Sequence, residues 1–122
     1  MFKKKKNLLI VEDDFDTVKM LKKMLKKFNL NIYVSDTGEN ALDVMKNKKI
    51  DIVLMDYKLP YKNGILLTKE IRKINGDIPI ILETGESKLF GNMDTVKGFQ
   101  FDDIIEKPLT MDKVTDVVKE YI

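Results

Sequence analysis

An α/β doubly wound fold, with five parallel strands alternating with five helices, is predicted by three observations. Short continuous apolar runs alternate with stretches whose apolar residues recur every three or four positions. Several runs end abruptly in acidic or hydroxyl residues, and the 122 residues give room for one core with no internal linker or low-complexity segment.

Leu8 to Val11 is a continuous apolar run, the pattern of a buried parallel strand, and it stops at Glu12-Asp13-Asp14. Phe15, Val18, Leu21, Met24, Leu25 and Phe28 then mark one side of a first helix, with lysines largely on the other. Asp14 and Asp16 suit its amino end, where the helix dipole favours negative charge. Ile32 to Val34 reads as a second strand, and Asp36-Thr37-Gly38-Glu39 offers capping chemistry before a helix that turns Ala41, Leu42 and Met45 inward. Ile52 to Met55 is a third strand, followed by Asp56, a loop with Pro60, then Gly64 and a helix using Leu67, Ile71 and Ile74. Pro79 to Leu82 and Ile104-Ile105 make the fourth and fifth strands, and Val114, Val117, Val118 and Tyr121 mark a final helix. Between Glu86 and Gly98 a fourth helix is expected to be short or mobile, because Gly91 and Gly98 each cost a helix interior about 1 kcal/mol. Right-handed crossovers then cover both faces of the sheet, and a flavodoxin-like strand order, 2-1-3-4-5, is expected.

Composition removes several kinds of chemistry. The chain has no cysteine and no histidine, so disulfides, thiolate metal sites and histidine-dependent nucleophilic catalysis are excluded. What remains is carboxylates, lysines, hydroxyls and a hard metal ion that prefers oxygen. A net charge of +2, with Arg72 the only arginine, argues against direct nucleic-acid binding. Residues 1–6 read as a solvated basic tail. The four apolar residues after it are too few for a signal peptide, and no run is long enough to span a membrane, so a cytoplasmic location is expected.

In a sheet of this kind, ligands bind beyond the carboxyl ends of the strands, near the point where strand order reverses. The expected order brings Glu12, Asp13 and Asp14 beside Asp56. Two carboxylates about 4 Å apart at an effective dielectric of about 20 repel by about 4 kcal/mol, so a proton or cation must lie between them. An oxygen-only ligand set points to Mg²⁺ or Mn²⁺. Thr84 after strand four and Lys107 after strand five add a hydroxyl and an ammonium, which makes a phosphoryl group the natural guest and Asp56 a candidate nucleophile.

These stretches, Leu8 to Asp14, Asp51 to Pro60 with Gly64, Pro79 to Gly85, and Asp102 to Pro108, together resemble the receiver domain of two-component response regulators, similar to CheY, over roughly residues 7–122. The resemblance implies that Asp56 is the phosphoacceptor, that Glu12 and Asp13 hold Mg²⁺ with the backbone carbonyl of Lys58, and that Thr84 and Lys107 bind the phosphoryl group. It implies a histidine kinase or histidine phosphotransfer protein as donor, a downstream protein target, a cis Lys107-Pro108 peptide, and dimerisation through the face of the fourth helix, fifth strand and fifth helix. Lys58 and Glu86, each two residues past a site residue, are expected to flank the water path and modulate hydrolysis. Chemistry beyond self-catalysed phosphotransfer and autodephosphorylation is not expected.

Three departures stand out. Ile104 occupies the switch position where the family often has an aromatic residue, and Gln100 replaces a common glycine. Glu83 and Glu106 replace commonly apolar residues and are expected to face each other at matching levels on adjacent strands. Among other classes, a dehalogenase-like phosphatase would want an aspartate at position 58, which is lysine. A flavin module would not place three acids after strand one. A pseudo-receiver interaction module, or a receiver cut from a hybrid kinase or transcription regulator, is the alternative kept open.

Overall fold

The computed structural model describes residues 4–86, 88 and 91–122. The elements run β1 (Lys6–Val11), α1 (Phe15–Met24), β2 (Leu30–Ser35), α2 (Gly38–Asn47), β3 (Ile52–Asp56), β4 (Lys58–Leu59), β5 (Lys62–Asn63), α3 (Gly64–Ile74), β6 (Ile80–Thr84), α4 (Met93–Gly98), β7 (Asp103–Glu106) and α5 (Met111–Tyr121). Five strands form one parallel sheet in the order β2-β1-β3-β6-β7, the predicted 2-1-3-4-5 arrangement when only the long strands are numbered.

Alternate residues of each strand serve opposite cores, as the period of two requires. Leu9, Val11, Val53, Met55 and Leu82 pack against α2, α3 and α4, while Leu8, Ile10, Leu54, Ile81 and Ile105 pack against α1 and α5. Among the described residues, α1 to α5 each begin on a side-chain cap at the carboxyl edge of the sheet: Asp14, Thr37, Asn63, Asn92 and Thr110 accept from the amides of Thr17, Asn40, Leu66, Thr95 and Lys113. Each cap satisfies an orphan N–H and fixes where its loop turns, which holds the loops around the carboxyl edge in place.

Several expectations change. The tail assigned to residues 1–6 is shorter, because Lys6 already pairs with Leu30. The loop after Asp56 contains an antiparallel hairpin, β4 with β5, turned through Pro60 and Tyr61, whose φ is +65°. Phe15 lies 77% exposed at the first position of α1, because the helix begins there, before its apolar face reaches the sheet. Phe28 follows the helix end and still packs beside Leu21 and Leu25. Asp56 and Thr84 are the last residues of their strands. The fourth helix is short, as the glycines imply, and Ser87, Leu89 and Phe90 of the stretch expected to carry it lie outside the described residues.

Glu83 and Glu106 do not face each other. Glu83 pairs with Ile105 and Thr84 with Glu106, so the one-residue offset puts the two glutamates on opposite faces, Glu83 fully buried and Glu106 exposed.

Arg72, near the end of α3, ties the far edge together. Its guanidinium donates to the carbonyls of Gly76, Ile78 and Gln100 and to Asp102 Oδ2, which also accepts from the Ile80 amide. The α4–β7 loop is thereby pinned to α3 and β6, and Gln100 within it holds φ at +72°.

Candidate functional site

The strand register sets the site. Val11 pairs with Met55 and Asp56 with Glu83, so Glu12, Asp56 and Glu83 lie at one level on three neighbouring strands. They follow Ile10, Leu54 and Ile81 by two residues and therefore share the face toward α1 and α5. Lys107, two residues past Ile105 and held by its amide to the Thr84 carbonyl, completes the row from β7. Its Nζ reaches across β6 to within 2.7 Å of Asp56 Oδ1.

Glu12, Asp13 and Asp56 can each place a carboxylate oxygen within 4.8 Å of the others. Glu12 and Asp56 are 2% and 6% exposed, whereas Asp13 faces solvent. Glu12 Oε2 accepts from the amides of Asp13 and Asp14 at 3.0 and 3.2 Å, and Oε1 is buried without a hydrogen-bond partner. Burial pushes the Glu12 carboxyl up to about 7; the charge of Asp56 adds to this, and the Asp14 amide and Lys107 oppose it. A pocket that penalises its own carboxylate charges in this way favours a cation. An all-oxygen donor set with an orphaned buried oxygen fits a hard divalent ion such as Mg²⁺.

Burial works to lower Lys107, but the hydrogen bond and charge of Asp56, with Glu12 and Glu83 behind, outweigh it and hold the ammonium above its ordinary value. Asp56, Tyr57, Lys58, Thr84, Gly85, Glu86 and Lys107 line an open cleft of about 380 Å³. Thr84 Oγ1 accepts from the Glu86 amide at 2.9 Å, which shapes the turn after β6 and leaves the hydroxyl proton to donate. Lys58 Nζ and Glu86 Oε1 meet 2.7 Å apart at this cleft. Ile104 pairs with Leu82 and packs half-buried toward the α2–α4 side, on the same face of the sheet as Thr84. Lys107-Pro108 is cis.

An ammonium laid on an aspartate at the end of β3, with two further acids from β1 beside it, is the arrangement the sequence resemblance implies. The match to the response regulator receiver domain family runs over residues 8–119. The chain belongs to that family. Among curated relatives of this receiver domain, the transcription factor SKN7 of Saccharomyces cerevisiae is 30% identical over 118 residues, 95% of this chain and 18% of its own length. The cell cycle transcriptional regulator CtrA of Caulobacter vibrioides is 32% identical over 107 residues, 88% of this chain and 46% of its own. This receiver thus spans less than half the length of either relative. Among solved structures, the chemotaxis response regulator CheY4 of Vibrio cholerae superposes with a TM-score of 0.87 at 17% identity, covering 98% of this chain and 100% of that one. The receiver domain of the sensor histidine kinase PA1611 of Pseudomonas aeruginosa, described with a magnesium ion coordinated in its active-site cleft, gives 0.83 at 23% identity over 97% and 98%. Both support the receiver fold.

The site residues predicted from sequence, Glu12, Asp13, Asp56, Lys58, Thr84, Glu86 and Lys107, gather at one edge. Sequence reasoning missed Glu83 as part of the row. The signal was available: Glu83 stands two residues after Ile81 on a strand whose apolar run fills both faces.

Proposed function

We propose that the chain is a phosphorylation-controlled receiver whose acceptor is Asp56. The observation that carries this reading is the 2.7 Å contact between Lys107 Nζ and Asp56 Oδ1 within a cluster of acids. A histidine kinase or histidine phosphotransfer protein presents phosphohistidine. An Asp56 carboxylate oxygen attacks phosphorus in line, the P–N bond breaks, and the imidazole leaves with its electron pair. Lys107 neutralises charge on the transferred group and Thr84 donates a hydrogen bond to it. Glu12, Asp13, Asp56 and the Lys58 carbonyl would hold Mg²⁺, which when bound supplies further charge neutralisation at the phosphoryl oxygens; the ion described in the PA1611 receiver supports this assignment.

Phosphorylation replaces the Lys107–Asp56 contact with contacts to the new group, and Thr84 follows. Ile104, on the same face as Thr84, transmits that shift without an aromatic ring, and the surface of α4, β7 and α5 is read by a downstream protein or a second copy. The chain's own chemistry is limited to phosphotransfer and autodephosphorylation, and it works in the cytoplasm. The lengths of SKN7 and CtrA support a second reading of its context, a receiver within a larger transcription regulator or hybrid kinase. Incubation with acetyl phosphate and Mg²⁺ tests the core of the proposal. Wild type becomes labelled and Asp56→Asn does not; equal labelling of the two overturns it.

A further inference from the structure

Glu83 is the feature of the site that the phosphotransfer scheme leaves unused. It is fully buried on β6, and neither carboxyl oxygen has a hydrogen-bond partner. An unpartnered carboxyl in a sheet interior is costly, and apolar residues of similar size fill such positions without that cost. The register shows what surrounds it. Asp56 stands beside it on β3 and Ile105 beside it on β7, all facing α1 and α5. Lys107 lies two residues beyond Ile105, and to reach Asp56 on β3 its side chain must cross β6, the strand that carries Glu83. Asp56 is therefore flanked on both sides by a buried glutamate: Glu12 toward the acids of β1 and Glu83 toward the lysine of β7.

We propose that Glu83 is a positioning residue for Lys107, giving its ammonium a second, buried seat next to Asp56 so that it stays over the acceptor while Asp56 exchanges carboxylate charge for a phosphoryl bond. The inference rests on the reading of Asp56 as phosphoacceptor. Once Asp56 has attacked the donor, one of its oxygens bridges to phosphorus and the negative charge moves outward to the phosphoryl oxygens. Lys107 must follow that charge, and a fixed acceptor beneath its path limits where it goes. Electrostatics agrees with the placement: burial, and then the charges of Glu12 and Asp56, push the Glu83 carboxyl up to about 8, and Lys107 pulls it back down.

The test uses wild type, Glu83→Gln, Glu83→Leu, Lys107→Met and the double variant Glu83→Leu/Lys107→Met, with Asp56→Asn as control. Unfolding in urea, with no phosphodonor, comes first. Glu83→Leu is expected to unfold at higher urea than wild type, and Lys107→Met to raise the unfolding constant at least threefold more with Glu83 present than on the Glu83→Leu background. Phosphorylation by acetyl phosphate follows. Glu83→Leu is expected to be at least fivefold slower than wild type despite its added stability, Glu83→Gln to recover most of the rate through its amide oxygen, and the Glu83→Leu loss to vanish on the Lys107→Met background. Additive unfolding effects, a Glu83→Leu protein phosphorylated at the wild-type rate, or an undiminished loss in the double variant each overturn the proposal. A wild type that takes no label overturns the phosphoacceptor reading instead, and the unfolding cycle still decides whether Glu83 and Lys107 are coupled.

Discussion

Lys58 and Glu86 close a 2.7 Å ion pair between the loop after β3 and the turn after β6, so two residues that line the Asp56 cleft are joined to each other. The pair joins two walls of the cleft that holds Asp56, and on the proposed function it gates water there. With side-chain exposures of 73% and 41%, its electrostatic contribution is heavily screened. Lys58→Ala or Glu86→Ala is therefore expected to leave the urea midpoint unchanged and to shorten the lifetime of the phosphorylated state by roughly threefold or more, a modest change in barrier. Decay of labelled protein after removal of the donor measures it; equal lifetimes refute a gating role for the pair.

The three clustered carboxylates predict divalent binding. Mg²⁺ is expected to raise the thermal midpoint of wild type, with a gain of about 2.7 kcal/mol when the free ion is a hundredfold above its Kd. Asp13→Ala removes the exposed member of the cluster and is expected to abolish most of that shift, while the fold stands without it because Asp13 is not buried. Thermal scans with and without the ion check both statements.

The buried acids fix the sign of the pH dependence. Glu12 is pushed up to about 7 and Glu83 to about 8, both by burial first, so the folded chain keeps protons that the unfolded chain releases near the ordinary glutamate value of 4.5. Their contribution is fully present at the acid end of that window and is lost as pH rises through 7 and 8. One proton held in this way makes a slope of up to about 1.4 kcal/mol per pH unit. Lys107, held high, titrates well above the window. Urea midpoints in the presence of a chelator are expected to fall between pH 6 and pH 8.5, and Glu83→Gln to flatten the upper part of the decline. A flat wild-type profile contradicts the retention of protons by these two buried carboxyls in the folded chain.

Gly64 lets α3 approach the end of β3 closely. A Cβ there would lie 2.8 Å from Leu82 Cδ1, 3.2 Å from Met55 Sδ and 3.3 Å from the Asp56 carbonyl oxygen. The leucine methyl can yield, but the Asp56 oxygen belongs to the backbone. Gly64→Ala is expected to cost about 1 to 3 kcal/mol and to slow labelling of Asp56 by shifting the end of β3. Unfolding and acetyl phosphate kinetics on the same preparation separate the two effects.

The sheet and the position of Asp56 at the end of β3 were legible because each rests on a short-range signal. Leu8 to Val11 and Ile52 to Met55 are apolar on both faces, and the acids that follow mark where burial stops. Helix starts at Asp14 and Thr37 were legible for a similar reason, since a cap is chosen by the residue that makes it. Register carries no such signal. The spacing of Glu83 and Glu106 before Thr84 and Lys107 suggested equal levels, yet parallel pairing set them one residue apart and turned Glu83 into the core. The β4–β5 hairpin was hidden because two-residue strands such as Lys58–Leu59 and Lys62–Asn63 are too short to show any period. The Lys58–Glu86 pair was legible as two positions and not as a contact, because it depends on where two loops turn.

Gln100 stands where the family resemblance implies a glycine, and its backbone conformation is one that glycine would suit. Its φ of +72° lies in the left-handed region, where a side chain costs roughly 1 to 2 kcal/mol and glycine costs little. The conformation is held from outside, since Arg72 Nε and Nη2 both donate to the Gln100 carbonyl, at 3.2 and 2.8 Å. Gln100→Gly keeps that carbonyl and relieves the strain, but it also loosens the unfolded chain, which takes back part of the gain. The net expectation is a stabilisation of about 0.5 to 1 kcal/mol. Arg72→Lys cannot reproduce the planar fork that spans Gly76, Ile78, Gln100 and Asp102, so it is expected to destabilise. The penalty is expected to be larger in the wild-type chain, where the strained turn relies on that fork, than on the Gln100→Gly background. A urea double-mutant cycle reads that difference directly; equal penalties in the two backgrounds show that the strain is held by something other than Arg72.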